Sequence, residues 1–364
     1  MANPYVFIVG CPRSGTTLLQ HMVDAHPQLA IMSEAQWIPR RFKAGKGLTP
    51  EGMVLPGLIP QLLEHPRFAA LNISPEELRG LLGDSEPVSY ADFVAGIFDL
   101  YGKAQGKALV GNKTPGFVRR LDAFHALWPK ARFVHLIRDG RDVCLSMGDW
   151  PKAQLKHPGD FATWKDDSVS TTALWWELNV RLGRAVRNSL GPELYYEVRY
   201  ESLVCNPAEE CEALCAFLGV PYDGAMLRFH EGRTKADPAL GAKTAWRPIT
   251  PGLRDWRSQM PAEDVERFEA AAGELLDELG HLRAILSPRP EALEQASQIR
   301  DSLAQDPNWN QVVRREVERL KPASKLRELL AQDSHWKQTA PGSQAERVEN
   351  ASRLPDSRAV GGGF

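Results

Sequence analysis

The sequence predicts an α/β fold in three layers, with a mostly parallel central sheet flanked by helices, followed by a helical C-terminal extension. Short apolar runs at residues 5–9, 29–32 and 108–111, and the largely apolar stretches 132–137 and 194–199, have the length of strands, and the continuous run at 5–9 reads as one buried on both faces. Helical patterns alternate with them from residue 5 to about residue 205, as in a doubly wound parallel sheet. Gly10 and Gly15 bracket a tight loop that leads from the first run directly into a helix.

That first junction organises the chain. Gly10-Cys11-Pro12-Arg13-Ser14-Gly15-Thr16-Thr17 opens a helix expected to run to Ala25 and to stop at His26-Pro27. Unpaired amides and the positive end of the helix dipole make such a junction an anion cradle. The G-x-x-x-x-G spacing of a nucleoside-triphosphate P-loop is present, so a P-loop-type fold is expected, but Thr16 stands where that motif has lysine. The lysine normally holds the β/γ-phosphates, and its absence argues against ATP or GTP as donor. A positive charge is placed inside the loop instead, at Arg13.

Glu34 follows the second strand at its carboxyl end, where ligands bind in open α/β sheets; the other reading is a solvated glutamate at a helix start. Residues 43–72 have no sustained period and read as an irregular insertion. Ser74-Pro75-Glu76-Glu77 has the capping serine, first-position proline and reciprocal glutamate of a helix start. Residues 90–103 place Phe93, Ile97, Phe98 and Tyr101 on one helix face. Lys113 stands at the end of the third strand, before a helix that should reach Trp128. The fourth strand delivers Arg138-Asp139-Gly140-Arg141-Asp142 into a helix carrying Ser146, which makes a second anion site. Arg138 has an alternative use in an ion pair with Asp139 or Asp142, and His135 reads as a core histidine.

Residues 150–167 read as a mobile loop, and 168–190 as a long helix with Trp175 and Trp176 in the core or the cleft wall. The fifth strand exits through Tyr200-Glu201, and a helix runs from Pro207 to a stop at Gly219. Residues 231–253 are Gly/Pro-interrupted and basic, with Arg233, Lys235, Lys243 and Arg247: a lid over an anionic ligand or a solvated linker. An amphipathic helix at 262–279 ends at Gly280. The expected organisation is a main domain at 1–287, a helical extension at 288–338 with helices near 290–305 and 310–332, and a disordered polar tail at 339–364.

Charge narrows the class. Lys plus Arg is 44 and Asp plus Glu is 46, so there is no bulk electrostatic case for nucleic acid or an anionic membrane. No stretch suits a bilayer span, and the N-terminal residues lack the pattern of a secretory signal, so a cytoplasmic protein is expected. Five cysteines, an odd number, fit a reducing compartment. Cys205, Cys211 and Cys215 have no histidine among them and read as buried small apolar residues rather than metal ligands.

Two anion cradles without a P-loop lysine suggest a nucleotide phosphorylated at both ends. Cys11-Pro12-Arg13-Ser14-Gly15-Thr16-Thr17 resembles the 5'-phosphosulfate loop of sulfotransferases that use 3'-phosphoadenosine 5'-phosphosulfate (PAPS), and residues 133–147, with Arg138 and Ser146, resemble their 3'-phosphate site. Asp24-Ala25-His26-Pro27, Glu34, Ile38-Pro39-Arg40, Asn112-Lys113, Arg138-Asp139-Gly140-Arg141, Tyr200-Glu201 and Arg247-Pro248 extend the likeness in order, in particular to the tyrosylprotein sulfotransferases, over about residues 5–285. The resemblance implies Glu34 as general base, with Arg13 and Lys113 stabilising charge on the sulfuryl oxygens and the leaving bridge oxygen. It implies Arg13, Ser14, Gly15, Thr16 and Thr17 at the 5'-phosphate, Arg138 and Ser146 at the 3'-phosphate, Tyr200 beside adenine and Arg247 as a lid ligand. PAPS would be the co-substrate, 3'-phosphoadenosine 5'-phosphate (PAP) the product, and no metal would be required.

The sequence departs from that family where the acceptor would bind. Tyrosylprotein sulfotransferases carry an acidic pair and an arginine around the base; here Ser33 precedes Glu34, and Gln36 occupies the arginine's position. The acceptor is therefore expected to be a hydroxyl on a small molecule, lipid, sugar or peptide tyrosine, and a homo-oligomer is compatible with the sequence. A P-loop kinase-like phosphotransferase and a non-catalytic 3'-phosphonucleotide-binding scaffold are the alternatives; Thr16 opposes the first, and Arg13, Glu34 and Lys113 oppose the second.

Overall fold

The computed structural model describes residues 4–38, 47–83, 87–150, 153, 158–232, 247–310 and 312. Pro39-Arg40, residues 233–246 of the basic segment, the helix expected near 310–332 beyond residue 312 and the tail at 339–364 lie outside the described residues.

Five strands form one parallel sheet: β1 (Val6–Gly10), β2 (Leu29–Met32), β3 (Leu109–Lys113), β4 (Arg132–Ile137) and β5 (Tyr195–Arg199), in the order β2-β3-β1-β4-β5. β1 is central, pairing Phe7 with Asn112 on one side and with Phe133 on the other. The order reverses on either side of β1, so the crevice at the carboxyl edge opens beside the Gly-bracketed loop.

Strand alternation sends successive β1 residues to opposite faces. Tyr5, Phe7 and Val9 enter one core with Phe93, Ile97 and Phe98, while Val6 and Ile8 enter another with Leu19, Met22, Leu214 and Leu218. The helices on these faces are α1 (Thr16–Asp24), α2 (Leu58–Leu63), α3 (Pro66–Ala69), α4 (Pro75–Gly80), α5 (Tyr90–Gln105) and α6 (Leu121–Leu127), then α7 (Gly140–Gly148), α8 (Ser168–Ala185), α9 (Arg187–Leu190), α10 (Tyr200–Cys205) and α11 (Pro207–Leu218). The remainder are α12 (Trp256–Gln259), α13 (Ala262–Glu278) and α14 (Pro290–Gln305). No helix among the described residues is long and apolar enough to cross a membrane.

Several boundaries differ from expectation for identifiable reasons. The 43–72 stretch is not wholly irregular: it holds α2 and α3, whose six and four residues are too few to display a period. The segment before Trp128 begins as a 3-10 helix at Pro115–Arg120, and the 168–190 helix breaks between α8 and α9. Tyr200-Glu201 is the first turn of α10 rather than a plain strand exit. Within 150–167, Phe161 is buried and touches the rings of Trp175 and Trp309, and Ala162–Lys165 forms a 3-10 turn, so that part is packed. Cys205 is exposed, whereas Cys211 and Cys215 are buried as expected.

A third core joins α7 and α8 to the C-terminal helices, with Trp175 and Trp176 against Phe268, Leu276, Ile299 and Leu303. At its centre Arg141 has no solvent exposure. Its guanidinium meets Asp139 at 2.7 Å, Glu269 at 2.6 Å and the Leu282 carbonyl at 3.0 Å, and lies 3.6 Å from the centroid of the Trp256 ring.

Candidate active site

Each strand brings a chemically distinctive residue to the carboxyl edge of the sheet: β1 the loop 11–17, β2 Glu34, β3 Lys113, β4 Arg138 and β5 Tyr200. The loop's shape rests on glycine. Gly15 has φ +100°, and a Cβ there would sit 2.5 Å from the Tyr200 ring; a Cβ on Gly10 would sit 2.5 Å from the Leu136 carbonyl oxygen. Gly15 caps α1 without any side-chain hydrogen bond, and no acidic residue occupies the first turn, so the first amides stay available to an anion.

Arg13 also has a positive φ of 76°, an uncommon conformation for a residue with a Cβ. Its Nε donates to Ser146 Oγ at 3.2 Å, and its guanidinium lies 5.6 Å from the Trp150 ring centroid. Although Arg13 reaches solvent, crowding by its surroundings lowers its pKa, and repulsion from Arg254 and Arg138 adds to the shift. Arginine starts high enough to remain charged near neutrality. Arg254 is held by Asp149 at 2.7 Å.

Lys113 links the loop to Glu34. Its Nζ is 3.4 Å from Thr17 Oγ1 and 3.5 Å from Glu34 Oε1, and the side chain is only 6% exposed. Burial lowers the Lys113 pKa, and the Glu34 charge opposes that shift. The turn carrying Glu34 is pinned from β3. Asn112 Nδ2 donates to the Ser33 carbonyl at 3.1 Å, Thr114 Oγ1 donates to Asn112 Oδ1 at 2.7 Å, and the Ala35 amide donates to Thr114 Oγ1 at 2.9 Å.

At the second junction Arg138 takes up the ion pair that the sequence offered, with Asp142 at 3.2 Å, and stacks over Tyr200, 4.1 Å from the ring centroid. Asp142 also accepts the Trp256 amide at 2.9 Å, tying this junction to α12. Burial raises the Asp142 pKa against the opposing charge of Arg138. Two buried polar atoms of the site, Ser14 Oγ at the first junction and Arg138 Nε at the second, have no hydrogen-bond partner among the described residues. Thus Arg13, Ser14, Gly15, Thr16, Thr17, Glu34, Lys113, Arg138, Ser146 and Tyr200 share the sheet's carboxyl edge, whereas Arg247 is exposed in the stretch after residues 233–246. His135 is a core residue: its Nδ1 is 2.6 Å from Tyr195 Oη. Among the described residues no group of three His, Cys, Asp or Glu could hold a metal ion.

Sequence reasoning missed Arg67, Arg254 and Trp150. Arg67 lies on α3 and reaches Glu34 Oε2 at 3.2 Å, where Gln36 Nε2 also donates at 3.2 Å. A lone arginine in a short helix carries no local motif; the clue was negative, the missing arginine at position 36.

Residues 4–224 match the model that describes the Sulfotransferase family, and the chain belongs to that family. Two curated relatives fit the same family. The Protein-tyrosine sulfotransferase of Drosophila melanogaster is 26% identical over 289 residues, covering 76% of this chain and 52% of the relative, so the chain spans about half of that protein's length. Protein-tyrosine sulfotransferase 1 of Danio rerio is 25% identical over 291 residues, covering 76% of this chain and 72% of the relative. The sulfotransferase domain of the Synechococcus PCC 7002 olefin synthase superposes with a TM-score of 0.53 at 24% identity, over 77% of this chain and 95% of that domain, and shares its fold.

Proposed function

We propose that this chain transfers the sulfuryl group of PAPS to an acceptor hydroxyl. The observation that carries the reading is one chain of contacts, Thr17 Oγ1 to Lys113 Nζ to Glu34 Oε1, which places a phosphate-loop hydroxyl, a buried cation and a carboxylate together at the strand ends. The residues present suit the donor. Ser14 Oγ and Arg138 Nε are buried without partners, and a nucleotide with phosphates at both ends would supply acceptors to the two junctions that hold them.

Bound PAPS supplies the sulfuryl group and departs as PAP. Glu34 takes the proton from the acceptor hydroxyl as that oxygen bonds to sulfur, and the bond from sulfur to the 5'-phosphate bridge oxygen breaks, leaving its electron pair on PAP. Arg13 and Lys113 hold the negative charge that builds on the sulfuryl and bridge oxygens. Such preorganised cations act by positioning and electrostatics, as in phosphoryl transfer. The amides and hydroxyls of Ser14, Gly15, Thr16 and Thr17 hold the 5'-phosphate, and Arg138 and Ser146 the 3'-phosphate. Tyr200 flanks the adenine side, and Arg247 is a further phosphate ligand.

A phenolic acceptor, including a peptide tyrosine, is favoured within this reading by the names of the relatives. The proposal also includes a cytoplasmic setting. The test is incubation with sulfate-labelled PAPS and a panel of phenols, sugars, lipids and tyrosine peptides. Labelled acceptor and PAP should form without added magnesium; phosphate transfer from ATP, with none from PAPS, would refute the proposal.

A further inference from the structure

Glu34 is held from more than one side. Lys113 approaches Oε1 at 3.5 Å, while Arg67 at 3.2 Å and Gln36 at 3.2 Å both converge on Oε2. Lys113 and Gln36 belong to β3 and to the turn next to Glu34, whereas Arg67 comes from α3, in the wall beside the crevice. Contact with one oxygen leaves a carboxylate free to rotate about its last bond, because that torsion is broad. A cation on the second oxygen fixes the plane.

Arg67 is itself aimed by its neighbours. The His65 imidazole accepts the Arg67 amide hydrogen at 3.3 Å, and Pro66 presets the first turn of α3. Phe68 is fully buried and meets Trp37 edge to face, with ring centroids 5.1 Å apart. Trp37 lies on the turn just after Glu34, so this aromatic contact sets residue 67 against residue 34. The Arg67 side chain remains about half exposed.

We infer that Arg67 is a positioning residue for Glu34, supplying from the wall the cation that the turn lacks at Gln36. The inference rests on the reading of Glu34 as the base. Arg67 acts on the orientation of that base and touches neither donor phosphate.

The test compares wild type, Arg67→Ala, Arg67→Lys, Glu34→Gln, Glu34→Asp and Glu34→Asp combined with Arg67→Ala. Labelled PAPS is the donor, and the acceptor is whichever of 4-nitrophenol, a tyrosyl peptide or a sugar wild type sulfates fastest. Arg67→Ala should lower kcat about tenfold, with acceptor KM within about twofold and PAP affinity unchanged. Arg67→Lys should recover most of that loss. In Glu34→Asp the shorter arm withdraws the carboxylate from Arg67, so adding Arg67→Ala should cost less than about threefold more. An unchanged kcat in Arg67→Ala, a loss confined to KM, or full additivity with Glu34→Asp overturns the inference while an inactive Glu34→Gln leaves the base assignment standing. No turnover by wild type with any acceptor overturns the base assignment and this inference with it.

Discussion

Arg13 Nε donates to Ser146 Oγ at 3.2 Å, which joins the loop after β1 to α7 after β4. The residue that faces the sulfuryl group in the proposed mechanism is thereby oriented by a residue assigned to the 3'-phosphate. Ser146→Ala should weaken PAP about tenfold, the order expected for one hydrogen bond to a charged group, and should also lower kcat because Arg13 loses its partner. Calorimetry with PAP and steady-state kinetics read the two effects; a loss of affinity alone would show that Arg13 keeps its pose without Ser146.

Glu34→Gln keeps the shape of the side chain and removes its basicity. Turnover should fall by roughly two to four orders of magnitude, the usual worth of a positioned base, while PAP affinity stays within about twofold. Unchanged turnover would remove Glu34 from the mechanism.

Arg138→Ala should discriminate between nucleotides. PAP should weaken about tenfold or more, adenosine 5'-phosphate much less, because in the proposed mechanism only PAP would bring a phosphate to the guanidinium. Equal losses for the two would move the 3'-phosphate site elsewhere.

Gly15→Ala combines a left-handed backbone at φ +100° with a Cβ 2.5 Å from the Tyr200 ring. The cost should be roughly 1–3 kcal/mol of stability, seen as a lower thermal midpoint, together with a marked loss of PAP binding.

Acid sensitivity should trace partly to His135. Burial, with the Arg184 charge adding to it, pushes this imidazole from 6.5 down to about 3. Between those values the unfolded chain binds a proton that the folded one refuses. The stabilising contribution is therefore complete above about pH 6.5 and is lost as pH falls toward 3, at up to about 1.4 kcal/mol per pH unit. Denaturant titrations of wild type and His135→Gln over that range should show a shallower acid slope in the variant.

The sheet was legible because its strands are short, largely apolar runs separated by helical patterns, and β2 and β4 begin and end where the sequence placed them. The capping box at Ser74 was legible for the same local reason: Ser74 Oγ accepts the Glu77 amide at 3.2 Å and Glu77 returns the bond at 2.8 Å. What was hidden depends on distant residues. Nothing near Arg67 points to Glu34, and Arg254 enters the field of Arg13 through its ion pair with Asp149 and the packing of α12 against α7. Arg138 shows the limit from the other side: its ion pair with Asp142 was one of the two readings open in the sequence, while its place over the Tyr200 ring carried no local signal.

The family match ends at residue 224, yet Arg141 depends on Trp256, Glu269 and the Leu282 carbonyl beyond that point. A fragment cut at the end of the match would remove three of the four groups that hold Arg141 and uncover Trp176 where it packs against Phe268. Anyone expressing or transplanting the catalytic unit should therefore carry the chain past Ile285, whose amide also closes on Glu269 at 2.7 Å.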